Sequence, residues 1–132
     1  MNIYLGIKYH SDGANRDRIE MIADALEPNG HPVTCVFRDL EAWGQHKFPP
    51  NELMARTFEI ISACDLTLID LTEKGVGLGI EAGYAHAIGK PVITIASQGS
   101  DISETLSGIS KDIIHYTDAV DLYRNLQPVL TR

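Results

Sequence analysis

The chain has 132 residues, 44% of them hydrophobic and 22% charged, enough apolar material for one domain to bury a core without disulfide or metal staples. Its formal net charge of −7 argues against general nucleic-acid binding, because phosphate-backbone recognition needs a basic face, and its composition argues against extended disorder. No apolar run reaches membrane length, and no basic, apolar and cleavage regions stand in series at the start, so a soluble, cytoplasmic protein is expected.

Ile3 to Ile7 reads as a short buried strand. Asp12-Gly-Ala-Asn15 offers caps for a helix in which Ile19, Ile22, Ala23 and Leu26 recur at i, i+3, i+4 and i+7, before Pro28-Asn-Gly30 ends it. Pro32 to Phe37 reads as the second strand. From Arg38 to Pro50 there is no periodicity, only charge, prolines, Trp43 and Phe48, which predicts a loop over the site.

Asn51 is the expected cap of a second helix, with Leu53, Thr57, Ile60, Ile61 and Cys64 on one face. Strands are predicted at about Asp65–Leu71, Pro91–Ala96 and Asp112–His115, and Asp118 caps a last helix with Ala119, Leu122, Tyr123 and Leu126 inward. Strands alternating with helices specify a single α/β domain over residues 1–132. The expected fold is doubly wound and Rossmann-like or flavodoxin-like, a mostly parallel five-stranded sheet with helices on both faces.

Cys35 and Cys64 lie far apart in apolar settings, without a CxxC or histidines at ligand spacing, and read as buried reduced thiols. His10, His31, His46, His86 and His115 share no metal-ligand spacing, so no metal site is expected.

Chemistry concentrates between Thr67 and Ile95. An apolar strand ends near Leu71, and Gly75, Gly77 and Gly79 let backbone approach a ligand where the next helix opens. In an open α/β sheet that edge is where ligands bind. Glu81 falls near the start of this helix. A glutamate there can simply complement the helix dipole, or, ionised and facing a sugar, act as a nucleophile. Gly79, Ala82, Gly83 and Ala85 predict cleared space around it, which favours the second reading. Gly77-Leu-Gly-Ile-Glu-Ala82 can be forced onto a dinucleotide fingerprint, but it follows the third strand and would set Glu81 against a pyrophosphate.

Val76-Gly-Leu-Gly-Ile-Glu81-Ala-Gly-Tyr-Ala85, followed by Gly89-Lys90, resembles the signature of the nucleoside 2-deoxyribosyltransferase family, which includes related 2'-deoxynucleoside 5'-phosphate N-hydrolases. The resemblance implies that Glu81 attacks the anomeric carbon. Ile3-Tyr4-Leu5-Gly6 is similar to the family's first strand, which implies an active-site role for Tyr4 and puts Gly6 beside the substrate. Thr105-Leu-Ser-Gly108 resembles the segment that reaches a neighbouring subunit's substrate, which implies a homo-oligomer with shared sites and Ser107 near the 5' end of the sugar. Tyr4 is open to a core role as well. Trp43 and Phe48 are loop anchors or base-stacking residues, and Asp70 and Glu73 either help bind the base or are solvated.

Two departures from the family stand out. Its enzymes carry an aspartate eight residues before the one opening the third strand, which the resemblance implies assists proton handling at the leaving base, and here that position is Thr57. Glu59 points about 200° away on a helical wheel and is no substitute. The loop Ile7-Lys-Tyr-His-Ser-Asp-Gly13 replaces a phosphate-holding turn, with Lys8, His10 or Ser11 available to an anion.

The expected activity is cleavage or transfer of the N-glycosidic bond of a 2'-deoxynucleoside or its 5'-monophosphate through a glutamyl-deoxyribosyl intermediate, with no cofactor. The alternatives are a 5'-monophosphate N-hydrolase and a non-catalytic nucleotide-binding or sensing domain.

Overall fold

A computed structural model describes residues 1–131. Five strands form one all-parallel sheet: β1 (Ile3–Gly6), β2 (Val33–Thr34), β3 (Leu66–Asp70), β4 (Val92–Ser97) and β5 (Asp112–Tyr116), in the order β2-β1-β3-β4-β5. The helices are α1 (Arg16–Leu26), α2 (Pro50–Ala63), α3 (Val76–Ala87), α4 (Glu104–Ile109) and α5 (Ala119–Leu130). The doubly wound fold expected from the sequence is the one observed.

Alternation along the strands explains its two cores. Ile3 and Leu5 of β1 and Leu66 and Leu68 of β3 face α1 and α5, joining Ile19, Ile22, Leu122 and Leu126. Tyr4 and Ile69 face the other way and pack with Ile61, Leu78, Ala82 and Ala85 from α2 and α3. After β1 the chain crosses to α1, and after β3 to α3 on the opposite face. The order therefore reverses between β1 and β3, and a crevice opens at their carboxyl ends.

The second strand is shorter than expected. It pairs with β1 only at Ile3↔Val33 and Tyr4↔Thr34. Beyond that, side chains take the groups that would extend the ladder: Asp39 Oδ2 accepts the Cys35 N–H at 2.8 Å, and Arg38 Nη2 donates to the Val33 carbonyl at 2.7 Å. The chain then closes a π-helical turn over Val36–Leu40, its Glu41 N–H reaching the Val36 carbonyl at 2.9 Å. Phe37 is buried by this turn.

Other boundaries shift for local reasons. Pro50 occupies the first position of α2 and Pro49 its cap, so Asn51 lies inside the first turn without capping it. The segment Ser103–Ser110 contains a helix, with the Ser103 hydroxyl accepting the Leu106 N–H. Asp118 caps α5 as expected, accepting the Asp121 N–H at 2.8 Å. Cys35 and Cys64 are free and buried. No helix among the described residues is long and apolar enough to cross a membrane.

Asp70 ends β3 on the α1 and α5 face and is 1% exposed. Its Oδ2 accepts the Tyr116 hydroxyl at 2.6 Å, its Oδ1 accepts the Thr72 N–H at 2.8 Å, and Arg18 Nη1 donates to the Tyr116 oxygen at 2.8 Å. Burial first, and the Asp70 carboxylate second, push the Tyr116 phenol up to about 12. This network ties β3, β5 and α1 together. Removing one partner strands a buried carboxylate, so Tyr116→Phe is expected to cost about 1–3 kcal/mol in urea unfolding.

Candidate active site

Two cavities, of about 200 and 300 Å³, meet in the crevice and share Ile7, Lys8, Tyr9, Gly77 and Glu81. Together they fall within the range of small-ligand pockets, roughly 300–1,000 Å³. The larger holds Gly75, Val76 and Leu78 from the start of α3. The smaller runs under the β1–α1 loop to Cys35, Val36 and Phe37, and to Leu53, Met54 and Thr57 of α2.

Glu81 lies at the junction. Because α3 begins at Val76, Glu81 is in the second turn, on the same face as Gly77 one turn earlier. Tyr4 projects from β1 toward it and donates its hydroxyl to Glu81 Oε1 at 2.8 Å. Glu81 Oε2 is buried and has no hydrogen-bond partner among the described residues. One oxygen is thus held in place, and the other is left unpaired beside Gly6 of β1.

The dipole expectation for this carboxylate is overturned. Far enough inside α3 to lose most of the terminal field, Glu81 is governed by burial, which pushes its pKa from the usual 4.5 up to about 7, against the smaller lowering by the Tyr4 hydrogen bond. Tyr4 itself is raised well above its ordinary value, by burial first and by Glu81 second, and stays a neutral donor.

The cleared space is also not where the sequence placed it. A Cβ at Gly79 or Gly83 would meet nothing within 4 Å, and both residues are exposed on the outer side of α3. The close approach is at Gly6 of β1, where a Cβ would lie 2.6 Å from Glu81 Oε2 and 2.8 Å from the Ile69 Cδ1 atom. Ala82 and Ala85 are small because α3 packs on the sheet, with Leu78 alongside.

Of the predicted site residues, the fold brings Glu81, Tyr4, Gly6, Gly75, Gly77 and Thr57 together. The Thr57 hydroxyl is occupied, donating to the Leu53 carbonyl at 2.8 Å. Glu59 is exposed, as its wheel position implied. Asp70 lies on the other face of the sheet, and Gly79 faces outward. Ser107 is exposed on α4 and lines neither cavity. Trp43 packs edge-on against Phe37 at 5.7 Å, with the Arg16 guanidinium 4.3 Å over its ring. Phe48 carries Arg56 in the same way at 4.8 Å. Both are loop anchors. Trp43 and Ala42 have φ of 59° and 48°, an uncommon left-handed conformation that this packing maintains.

Sequence reasoning missed Tyr9, Phe37, Leu53 and Met54 in the cavity wall. Phe37 was hidden by the misread strand end, and Tyr9 lies in an aperiodic loop. Leu53 was assigned correctly to the inner face of α2. No sequence signal shows that the cavity opens onto it.

Comparison with known proteins finds enzymes among those this chain is similar to. No family model matches the chain. A curated protein of Thermofilum pendens, provisionally named 2'-deoxynucleoside 5'-phosphate N-hydrolase 1, is 23% identical over 98% of this chain and 95% of its own length. Among solved structures, a Clostridium botulinum CMP N-glycosidase superposes with a TM-score of 0.67 at 22% identity, over 98% of this chain and 99% of that one. A 2-deoxyribosyltransferase from Bacillus psychrosaccharolyticus reaches 0.72 at 17% identity, over 93% and 90%. The resemblance to the nucleoside 2-deoxyribosyltransferase family therefore extends along the whole chain.

Gly6→Ala is expected to leave the fold intact, because the atoms it meets are the ends of two flexible side chains, but to displace the Glu81 carboxylate and abolish most turnover. Circular dichroism and a base-release assay separate the two effects.

A carboxylate near 7 also sets a pH dependence. If Glu81 acts as a nucleophile it must be ionised, so kcat/KM should then fall about tenfold per pH unit below pH 7. Tyr4→Phe removes the one interaction that lowers this value, so the limb should move to higher pH, with a larger loss at pH 6 than at pH 9. The same shift acts on stability with the opposite sign. The folded value lies above the unfolded one, so the ionised group costs nothing below about pH 4 and its full amount above pH 7. Glu81→Gln should therefore raise stability at pH 8, by at most roughly 3 kcal/mol, and leave it unchanged at pH 4.

Proposed function

We propose that this chain cleaves or transfers the N-glycosidic bond of 2'-deoxynucleosides, or of their 5'-monophosphates, by double displacement at Glu81. The observation that carries the reading is the divided carboxylate of a residue that lines both cavities: Oε1 held by Tyr4, Oε2 buried and unpartnered. A binding domain gains nothing from an uncompensated buried carboxylate, which costs stability when ionised.

In the first step Glu81 Oε2 attacks the anomeric carbon from the face opposite the base. The C–N bond breaks, its electron pair goes to the ring nitrogen, and an ester links Glu81 to the sugar. In the second step water or another base attacks the same carbon and releases the carboxylate, with net retention. Tyr4 keeps the carboxylate aimed in both steps. Gly75 and Gly77 leave room for the sugar and whatever its 5' carbon bears. No metal or organic cofactor enters the scheme.

The site belongs, in this proposal, to a homo-oligomer. Val76 and Ile80 are exposed on the outer side of α3 at 84% and 47%, and Ser107 is exposed on α4, which packs beside α3. These features support a neighbour covering the open crevice, with Ser107 turned to the sugar of the other subunit. A cytoplasmic location agrees with two free buried thiols.

The test is incubation with a panel of deoxynucleosides and 5'-monophosphates, with and without a second base, followed by chromatography of free and exchanged bases. Glu81→Gln should lose at least about a thousandfold in rate while remaining folded, and mass spectrometry of a slow wild-type reaction should find a deoxyribosyl adduct on Glu81. An equally active variant, or an adduct elsewhere, removes Glu81 from the mechanism. Mixing Glu81→Gln chains with a bulky Ser107 variant should restore activity if sites are shared.

A further inference from the structure

A departing nucleobase needs a proton, and the group expected to handle it in this family is absent, replaced by Thr57. The cavity's other proton carriers are engaged elsewhere. The Thr57 hydroxyl donates to the Leu53 carbonyl, Tyr4 donates to Glu81, and Lys8 Nζ donates to the Lys74 carbonyl at 3.0 Å. Burial pushes the Cys35 thiol up to about 11. The phenol of Tyr9 accepts from Lys47 at 3.3 Å.

His10 remains. It lines the same cavity as Glu81, from the loop between β1 and α1, and its Nε2 lies 2.9 Å from Glu73 Oε2 on the loop between β3 and α3. That contact fixes the ring and leaves Nδ1 without a partner among the described residues. Glu73 in turn feels the charge of Arg18. A histidine oriented by a carboxylate beside a nucleophile is the arrangement of a general acid and base.

We propose that His10 is the general acid that protonates the leaving base, with Glu73 as its positioning residue. The inference rests on the N-glycosidase reading above. As Glu81 Oε2 bonds to the anomeric carbon and the C–N bond breaks, the Nδ1 proton of His10 passes to the base nitrogen and the imidazolium becomes neutral imidazole. When water completes hydrolysis, its oxygen bonds to the anomeric carbon, the Glu81 ester bond breaks, and the released proton returns to His10. Charge and protons balance over the cycle.

Leaving-group dependence tests this. The probes are 2'-deoxyguanosine and its 5'-monophosphate, and the N7-methylated form of each, whose base is already cationic and departs neutral without a proton. His10→Gln should lose at least about 100-fold on the unmethylated probes and less than about fivefold on the methylated ones. Glu73→Gln should show the same bias at smaller size. The ratio of the two losses does not depend on how much of a variant folds, and if His10→Gln were wholly inactive on both classes, Glu73→Gln would decide. Equal losses on both classes, with an active wild type, overturn the role of His10 and leave the Glu81 reading standing. A wild type that cleaves none of the probes or panel substrates overturns the N-glycosidase reading, and the role of His10 with it.

Discussion

Everything in the site depends on one constraint, a carboxylate held against the middle strands of a sheet without a compensating charge. Glu81 reaches β1 only because Gly6 has no side chain, and it stays there because Tyr4, two residues earlier on the same face of that strand, donates to it. One four-residue strand thus provides both the space and the hydrogen bond. The cost is desolvation, which lifts the carboxylate to about 7. In the proposed reaction the same desolvation would favour attack by its free oxygen, since an anion stripped of water is the better nucleophile once an electrophile arrives.

The sheet separates stability from chemistry. On the α1 and α5 face, Asp70 is satisfied by Tyr116 and Thr72, and the large aliphatic core surrounds it. On the α2 and α3 face, packing is lighter, with Ala82 and Ala85 against the strands, and a buried oxygen is left unpaired. Two carboxylates from adjacent parts of the chain, Asp70 and Glu81, therefore have opposite fates. The period-2 alternation of β3 sends one to the stable face, and the turn of α3 sends the other to the crevice.

What the sequence made legible follows from the range of the interactions involved. The alternation of strands and helices, the inward face of α2 and the Asp118 cap are local patterns, and they were read correctly. Glu81 and Tyr4, which meet in the crevice, are singled out by two separate motifs. The reason for Gly6 was not, because its close contact is with a residue 75 positions away in the chain, and no spacing within β1 reports it. Asp70 misled for a similar reason: a carboxylate at a strand end has the right address for a ligand, and only Tyr116, from β5, reveals that it is already satisfied. Trp43 and Phe48 were ambiguous in a loop without periodicity, and the cations of Arg16 and Arg56 settle where they pack.

Thr57 then takes on a different meaning from a lost catalytic group. It lines the same cavity as Glu81, so an aspartate in its place would set a second carboxylate in the desolvated pocket. Like charges sharing a site raise one another's pKa, and Glu81 already stands near 7 through burial alone, with Tyr4 its only counterweight. With threonine there, Glu81 is, among the described residues, the one carboxylate lining the two cavities. A proton donor for the proposed reaction would then have to be a group that adds no negative charge to the pocket. His10, which lines the cavity and is held by Glu73, is such a group, and as the proposed general acid it would add no repulsion at Glu81.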